Sequence, residues 1–377
     1  MQENSGNSWQ NMSEDGWGVK LTNPSSTDPV TTKMCTSIND KPIVSLKETY
    51  INSRTSEIDL TSVDTSNVED MSYMFFLAEN LTNLDLSNFD TRKVTDMSFM
   101  FYRDLLLEEL DVSSFDTSNV TVMYNMFDSL YKLKELDLSN FNTSKVTDMQ
   151  AMFSGLYSIE KLDISSFDTS NVTDMSWLFT SCALKKIDLS NFNTSNVTTM
   201  GKMFLYSKFE EINLSSFNTS NVTDMDSMFK SCKNLKKLDL SNFDTSNVKK
   251  MGDMFSDSDA LIELNLLSFD TSKVEETHWM FNNCDSLTVL DLSSFDTSNV
   301  TSIFGMFNSC DNLETIYASD SFVTTRIHNY DTNGLFDDST KLVGGAGSPY
   351  NASYTGTLSA RIDEPSLGRP GYFTRKS

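Results

Sequence analysis

The sequence predicts an α/β solenoid: ten stacked repeats of 25–26 residues, with short parallel strands on one face, short helical or 3-10 segments on the other, and a cap at each end. Three observations predict it. One phrase, typified by LDLSNFNTSKVTDMQAMF at 136–153, recurs ten times. Its mid-phrase apolar residue falls at Val63, Phe89, Phe115, Phe141, Phe167, Phe192, Phe217, Phe243, Phe269 and Phe295, in steps of 26 or 25. Within each copy the apolar period changes from that of a strand to that of a helix. Most of the Phe and Met also sit at the same place in every copy, as a core of stacked like residues requires, because one copy cannot bury them alone.

Taking one copy in order, Leu81, Leu84 and Leu86 spell L-x-x-L-x-L. The alternation from Leu84 to Leu86 has strand period and points Asp85 the other way. After Phe89 comes D-T-S-N or a close variant, residues that bond their own neighbouring backbone and favour turns. Val94, Met97, Met100 and Phe101 then follow at i, i+3, i+6 and i+7, a helical or 3-10 spacing, with Thr95 or Thr121 as candidate N-caps. This order matches the leucine-rich repeat. The two 25-residue steps each lose a residue just after the Met-Phe pair, which marks a loop there. The expected core is two Phe columns, the second running from Phe75 to Phe307, with Met columns beside it.

The recurring F-D-T-S-N-V-T-D-M-x-x-M-F closely resembles the BspA-like leucine-rich repeats of bacterial surface proteins, including those of mycoplasma surface lipoproteins. The resemblance covers roughly 58–313. KLVGGAGSPYN followed by ARIDEPSLGRPGYFT looks like the segment that closes many such arrays. It implies a secreted or surface-attached binding protein, often an adhesin of a host-associated bacterium, and no catalysis. It names no ligand.

The expected domains are a disordered or loosely packed segment at 1–28, an N-terminal cap at 29–57, the solenoid at 58–312 and a C-terminal cap at 313–377, where Leu335-Phe336 echo the Met-Phe pair. Formal charge is −24. With no basic stripe to neutralise phosphates, nucleic acid is not an expected partner, and an anionic membrane is disfavoured. No apolar run approaches the roughly 18 residues of a membrane span. The N-terminus carries no signal peptide, so a surface protein would be present here as a mature fragment. A monomer is expected.

Residues that could carry chemistry are few. Cys182, Cys232, Cys284 and Cys310 share one inward column with Ala78, Leu130 and Leu156 and read as buried thiols, with a Cys284–Cys310 disulfide as the alternative. Of the two His, His278 lies where the ninth repeat departs from pattern and His328 in the C-terminal cap. Neither completes a Ser–His–Asp or Cys–His set. Gly344 to Gly347 form a turn and not a phosphate loop, since no Lys-Ser/Thr follows. No cofactor or metal is expected.

Two surfaces are candidates for binding a host protein or glycan. The first is the acidic strand face, with Asp85, Asp111, Asp137, Asp163, Asp188 and Asp239, whose like charges at strand spacing of ~4.8 Å must be offset. The second is the second variable residue of M-x-x-M, with Tyr73, Phe99, Trp177 and Trp279 expected to face outward. Tyr73, Phe76, Phe99 and Tyr102 are expected to cluster. A spacer that displays another domain is an alternative. An ice- or mineral-ordering surface is another, and it requires the Thr117, Thr143 and Thr169 column to be exposed.

Overall fold

The computed structural model describes residues 9–10, 17–19, 21, 23–33, 37–38, 41–327 and 334–376. The chain divides into two compact units, Met1–Leu184 and Lys185–Ser377. Each is a parallel β-solenoid in which every repeat is one rung.

The rung's tightest ladder is built by the segment expected to be helical. Among the described residues there is no α-helix, and M-x-x-M-F folds as a chain of turns. Its N–H groups alternate between two partners. Met71, Tyr73, Phe75 and Leu77 donate to the carbonyls of Asp96, Ser98, Met100 and Tyr102 on the next rung, while Met74, Phe76 and Ala78 donate three residues back. Tyr73 (φ 59°) and Leu77 (φ 58°) are left-handed, the signature of turns with a reversed third residue. The i, i+3 spacing of Met97 and Met100 is shared by such turns and by a helix, which is why spacing alone pointed to a helix. The turns win because an isolated helix this short is marginal, whereas the cross-rung bonds recur at every step.

This alternation repeats along both units. Bridges run Ser45–Asp70–Asp96–Val122–Asp148–Asp174 in the first and Thr199–Asp224–Lys250–Glu276–Ser302 in the second. Behind them lies the core. In the first unit Tyr50, Phe75, Phe101, Phe127, Phe153 and Phe179 stack with centroids 5.4, 5.6, 5.8, 6.1 and 5.6 Å apart. In the second, Phe204, Phe229, Phe255, Phe281, Phe307 and Phe336 continue at 5.4, 5.9, 5.7, 6.0 and 5.2 Å. The neighbouring Met and Val residues are buried. Each ring pair contributes roughly 0.5–1.5 kcal/mol beyond its area.

The strand face is looser. Glu135–Asp137 pairs with Lys161–Asp163, Lys186–Asp188 with Glu211–Asn213, and Lys237–Leu238 with Glu263–Leu264, all parallel and in register. Leu84–Leu86 and Leu110–Val112 form no strand. Rings of the Phe column on this side stand 6.4–6.5 Å apart, further than those of the Met-Phe side.

The N-terminal cap region contains a rung hidden from the repeat pattern. Leu46, Glu48, Tyr50 and Asn52 donate to Asp70, Ser72, Met74 and Phe76 as a repeat would, and Glu48 and Asn52 are left-handed. Its strand, Val30–Lys33, pairs in parallel with Ile58–Ser62. Within 1–28, short strands form at Trp9–Gln10 and Trp17–Val19 and join Ser37–Ile38 and Lys41–Ser45 in one sheet. At the other end Val289–Leu292, Thr315–Ala318 and Phe373–Arg375 form a parallel sheet, the last strand returning over the 343–372 segment. His328 and Cys35 lie outside the described residues.

Candidate interaction surfaces

All six aspartates named on the strand face are exposed. Each is an Asx turn: its carboxylate accepts the N–H two residues on, from Ser87, Ser113, Ser139, Ser165, Ser190 and Ser241, at 2.9–3.0 Å. Ser165 Oγ adds a 2.6 Å bond to Asp163. Hydrogen bonds from the Ser87, Ser113 and Ser139 hydroxyls and N–H groups hold Asp85, Asp111 and Asp137 below the usual carboxylate range; at Asp188 and Asp239 the backbone N–H leads. These bonds, with Lys161–Glu135, Lys186–Glu211 and Lys237–Glu263 pairs at 2.6–2.8 Å, offset the expected repulsion. The acidic character is local. In the first unit Glu108, Glu109, Asp111, Glu135 and Asp137 line a shallow groove of about 520 Å³ with Lys134. In the second, a groove of about 620 Å³ is lined by Glu210 and Glu211 but also by Lys233, Lys236 and Lys237.

Asx turns recur twice more per rung. Ser118 and Ser170 N–H bond Asp116 and Asp168, and Ser98 and Ser176 N–H bond Asp96 and Asp174. The D-T-S-N signal for the first of these was visible in the sequence; the second was obscured by the helical reading.

Tyr73, Phe99, Trp177 and Trp279 all occupy left-handed positions, with φ of 55–63°, which costs about 1–2 kcal/mol each. Tyr73 stacks on Phe99 at 4.7 Å and Phe76 on Tyr102 at 4.8 Å; the two pairs meet edge to face, and Tyr124 abuts Phe99 at 5.0 Å. The four expected aromatics therefore cluster, and all five rings are half-exposed. Lys47 Nζ lies 5.6 Å from the Tyr73 ring. Burial, with Tyr124 beside it, pushes the Tyr73 phenol up to about 12. Trp177 is 37% exposed and does not join this cluster. Trp279 packs on Phe304 at 4.9 Å, in the second unit, over Gly305, where a Cβ would stand 2.4 Å from the indole.

With this geometry in view, the chain was compared with known proteins. The family model described as "Mycoplasma protein of unknown function, DUF285" matches residues 44–161, 132–211 and 205–321. The chain belongs to this family. Among solved structures it is similar to a leucine-rich repeat protein from Bacteroides ovatus (17% identity, 87% of this chain and 89% of that one, TM-score 0.40). It is also similar to the functional domain of InlJ from Listeria monocytogenes, described as including a cysteine ladder (15% identity, 82% and 63%, TM-score 0.33). No curated protein matches. The first DUF285 match begins at residue 44, within the cap rung that the repeat pattern had missed.

In this DUF285 chain the threonine and cysteine columns point into the rungs or bond along them. Thr117, Thr143 and Thr169 are 0–1% exposed. Thr117 and Thr143 each bond both the N–H and the C=O of the next rung, so this column is not the exposed surface that ice or mineral ordering requires. Thr95 and Thr121 cap no helix; their hydroxyls donate to the carbonyls of the preceding rung. Cys284 and Cys310 are free, not a disulfide: their thiols donate to the Phe255 and Phe281 carbonyls at 3.1 and 3.0 Å. Burial pushes Cys182, Cys232 and Cys310 up to about 12, which makes them unreactive.

His278 Nε2 lies 3.8 Å from Asp253, which pairs more closely with Lys230 at 2.6 Å. Among the described residues no group of three His, Cys, Asp or Glu could hold a metal ion. The Gly344–Gly347 turn surrounds an anion of its own. Asp363 accepts the N–H groups of Ala346, Ser348 and Gly371 and the Ser348 hydroxyl. Burial opposes its ionisation, but those bonds hold it below the usual carboxylate range.

Proposed function

We propose that this chain is a non-catalytic recognition or adhesion module, acting outside the cell or at the surface of a host-associated bacterium, that binds a host protein or glycan. The observation that carries this reading is the cluster of Tyr73, Phe76, Phe99, Tyr102 and Tyr124. Five half-exposed aromatic rings stand together on a backbone laddered at every rung. Contiguous exposed apolar surface of this kind marks interaction sites, and aromatics dominate their energetics. The rings cover one another in part, two pairs stacked and meeting edge to face, which favours a protein surface over a sugar stacked flat. The acidic groove at Glu108–Asp137 is a second contact region that would favour a basic partner.

The test is a binding screen against immobilised host matrix proteins and glycans, with two variants in parallel. Tyr73→Asn with Phe99→Asn removes the rings while keeping a residue tolerant of left-handed φ. The other variant changes Asp111, Asp137 and Asp163 to Asn. Loss of at least tenfold in affinity from the first variant supports the reading; unchanged binding by both overturns it. The spacer reading is favoured by one observation, that every strand-face aspartate named above is engaged in its own turn. Binding to none of the ligands would leave the spacer as the better account.

A further inference from the structure

Three residues past each stacked Phe runs the inward column that holds the cysteines. At Cys232, Ser258, Cys284, Cys310 and Ser339 the hydroxyl or thiol of this column reaches back to the preceding rung, whereas Ser207 Oγ meets Cys232 Sγ on the following one. Ser258 Oγ accepts the Cys232 N–H at 3.3 Å and donates to the Phe229 carbonyl at 2.8 Å; Ser339 Oγ accepts the Cys310 N–H at 3.0 Å and donates to Phe307 at 2.5 Å. Cys232, Cys284 and Cys310 donate to Phe204, Phe255 and Phe281.

In the first unit one member of this column is Asp104, with 0% exposure. The repeat reading passed over it, because nothing about an isolated Asp marks it as internal. Its Oδ1 accepts the Ala78 N–H at 3.0 Å, the counterpart of the bonds to Ser258 and Ser339. Its Oδ2 is buried with no hydrogen-bond partner. Among the described residues no cation pairs with it: Arg103, next in sequence, bridges to Glu79 at 3.3 Å. Glu79, whose charge acts on it, is an acid; on the next rung the carboxylate of buried Asp128 is taken up by Asn125 and Ser129.

We propose that Asp104 stands in the folded chain as a neutral carboxylic acid, its Oδ2–H replacing the hydroxyl or thiol of the column as donor to the preceding rung's Phe75 carbonyl, so that the first unit is stabilised in acid and loosened as pH rises. On the rungs of Cys232, Ser258, Cys284, Cys310 and Ser339 this place holds a donor to the preceding rung; a carboxylate would have none, and would leave its buried Oδ2 without a partner. Burial, with Glu79 adding to it and only the Ala78 N–H opposing, holds the carboxyl well above its usual range. A carboxyl with a raised folded value contributes its full stability below the unfolded value and loses it as pH rises through the folded one. Between the two values the folded-to-unfolded ratio falls by up to about tenfold per pH unit. The device acts in the sense opposite to an ion-paired carboxylate.

The test uses the full chain. Asp104→Asn keeps the acceptor for Ala78 and supplies an N–H donor that does not titrate. Urea unfolding is followed from about pH 3 to about pH 9, so that the acid end lies below the ordinary Asp value. The wild type is expected to lose ground to Asp104→Asn steadily with rising pH and to match it at the acid end, with amide protection at Ala78, taken relative to the intrinsic exchange rate at each pH, falling in the wild type alone. Parallel pH curves, or an Asp104→Asn chain weaker throughout, overturn the proposal. If that variant does not fold, the wild-type carboxyl is read directly by its carbon-13 shift: a protonated signal at neutral pH supports the proposal, and a carboxylate signal overturns it.

Discussion

Thr143 ties two rungs with a single oxygen. Its Oγ1 accepts the Asp168 N–H at 2.8 Å and donates to the Asp168 carbonyl at 2.9 Å, in a site with 0% exposure. Thr143→Val keeps the shape and strands two buried backbone groups, each costing about 1–3 kcal/mol. A lowered urea midpoint for Thr143→Val, with Thr143→Ser closer to wild type, is the expected result; equal midpoints for all three would show that water replaces the hydroxyl. Gly305 is a second single-residue constraint. It is left-handed at φ 62°, and a Cβ would strike the Trp279 indole at 2.4 Å. Gly305→Ala is therefore expected to destabilise by about 1–3 kcal/mol, from backbone strain and displacement of the indole. Thermal unfolding with Trp279 fluorescence reads both effects. At this scale the Phe and Met positions were legible because they recur in register. Asp104 was not, because it breaks its column's chemistry, and neither was the strain at Tyr73 and Phe99, because φ leaves no mark in composition.

The Met-Phe segment is the element whose structure departs most from its sequence pattern. Met97, Met100 and Phe101 satisfy helix and turn alike, and only the partners of the alternate N–H groups separate them. Ala151 offers a discriminating substitution, since it lies in this segment with φ 52°. In a helix Ala151→Gly would cost roughly 0.5–1 kcal/mol. In the left-handed position, relief of about 1–2 kcal/mol of strain opposes that entropy cost. Ala151→Gly is thus expected to leave the urea midpoint unchanged or raised; a clear loss would favour the helix. The cap rung shows the converse failure. Leu46 and Tyr50 stand 25 residues before Met71 and Phe75, and Tyr50 stacks on Phe75 at 5.4 Å. Spacing alone contained that signal, but Leu, Thr and Tyr in place of Met, Met and Phe concealed it from a search for like residues. The candidate surfaces were legible as columns. How the aspartates are engaged, and which aromatics touch, depended on turn geometry.

For the whole chain, the −24 charge includes columns of carboxylates that cap turns and others that are buried, and these set opposing responses to acid. Ser118, Ser170, Ser246 and Ser272, through hydroxyl and N–H, hold Asp116, Asp168, Asp244 and Asp270 below the usual carboxylate range. Their contribution is complete at neutral pH and is lost as pH falls through the folded values. Buried Asp104 and Asp128 and half-buried Asp148 and Asp226, raised chiefly by desolvation, respond oppositely. Protonation also relieves like-charge repulsion between rungs, a relief that added salt supplies without titration. The chain itself contains the substitution that separates these effects. Asn142, Asn193 and Asn218 replace Asp in the same turn and accept the same N–H, at 3.1 Å against 2.9–3.0 Å for those four Asp. The shorter bonds are the charge-assisted ones. Changing Asp116, Asp168, Asp244 and Asp270 to Asn keeps the turns and removes four titrating caps. Unfolding midpoints of this variant are expected to fall less steeply below about pH 4 than those of the wild type, and to gain less from added salt at neutral pH. An unchanged acid limb would mean that these carboxylates do not govern acid unfolding, and an unchanged salt response would mean that rung-to-rung repulsion is already screened by the hydrogen bonds each carboxylate accepts.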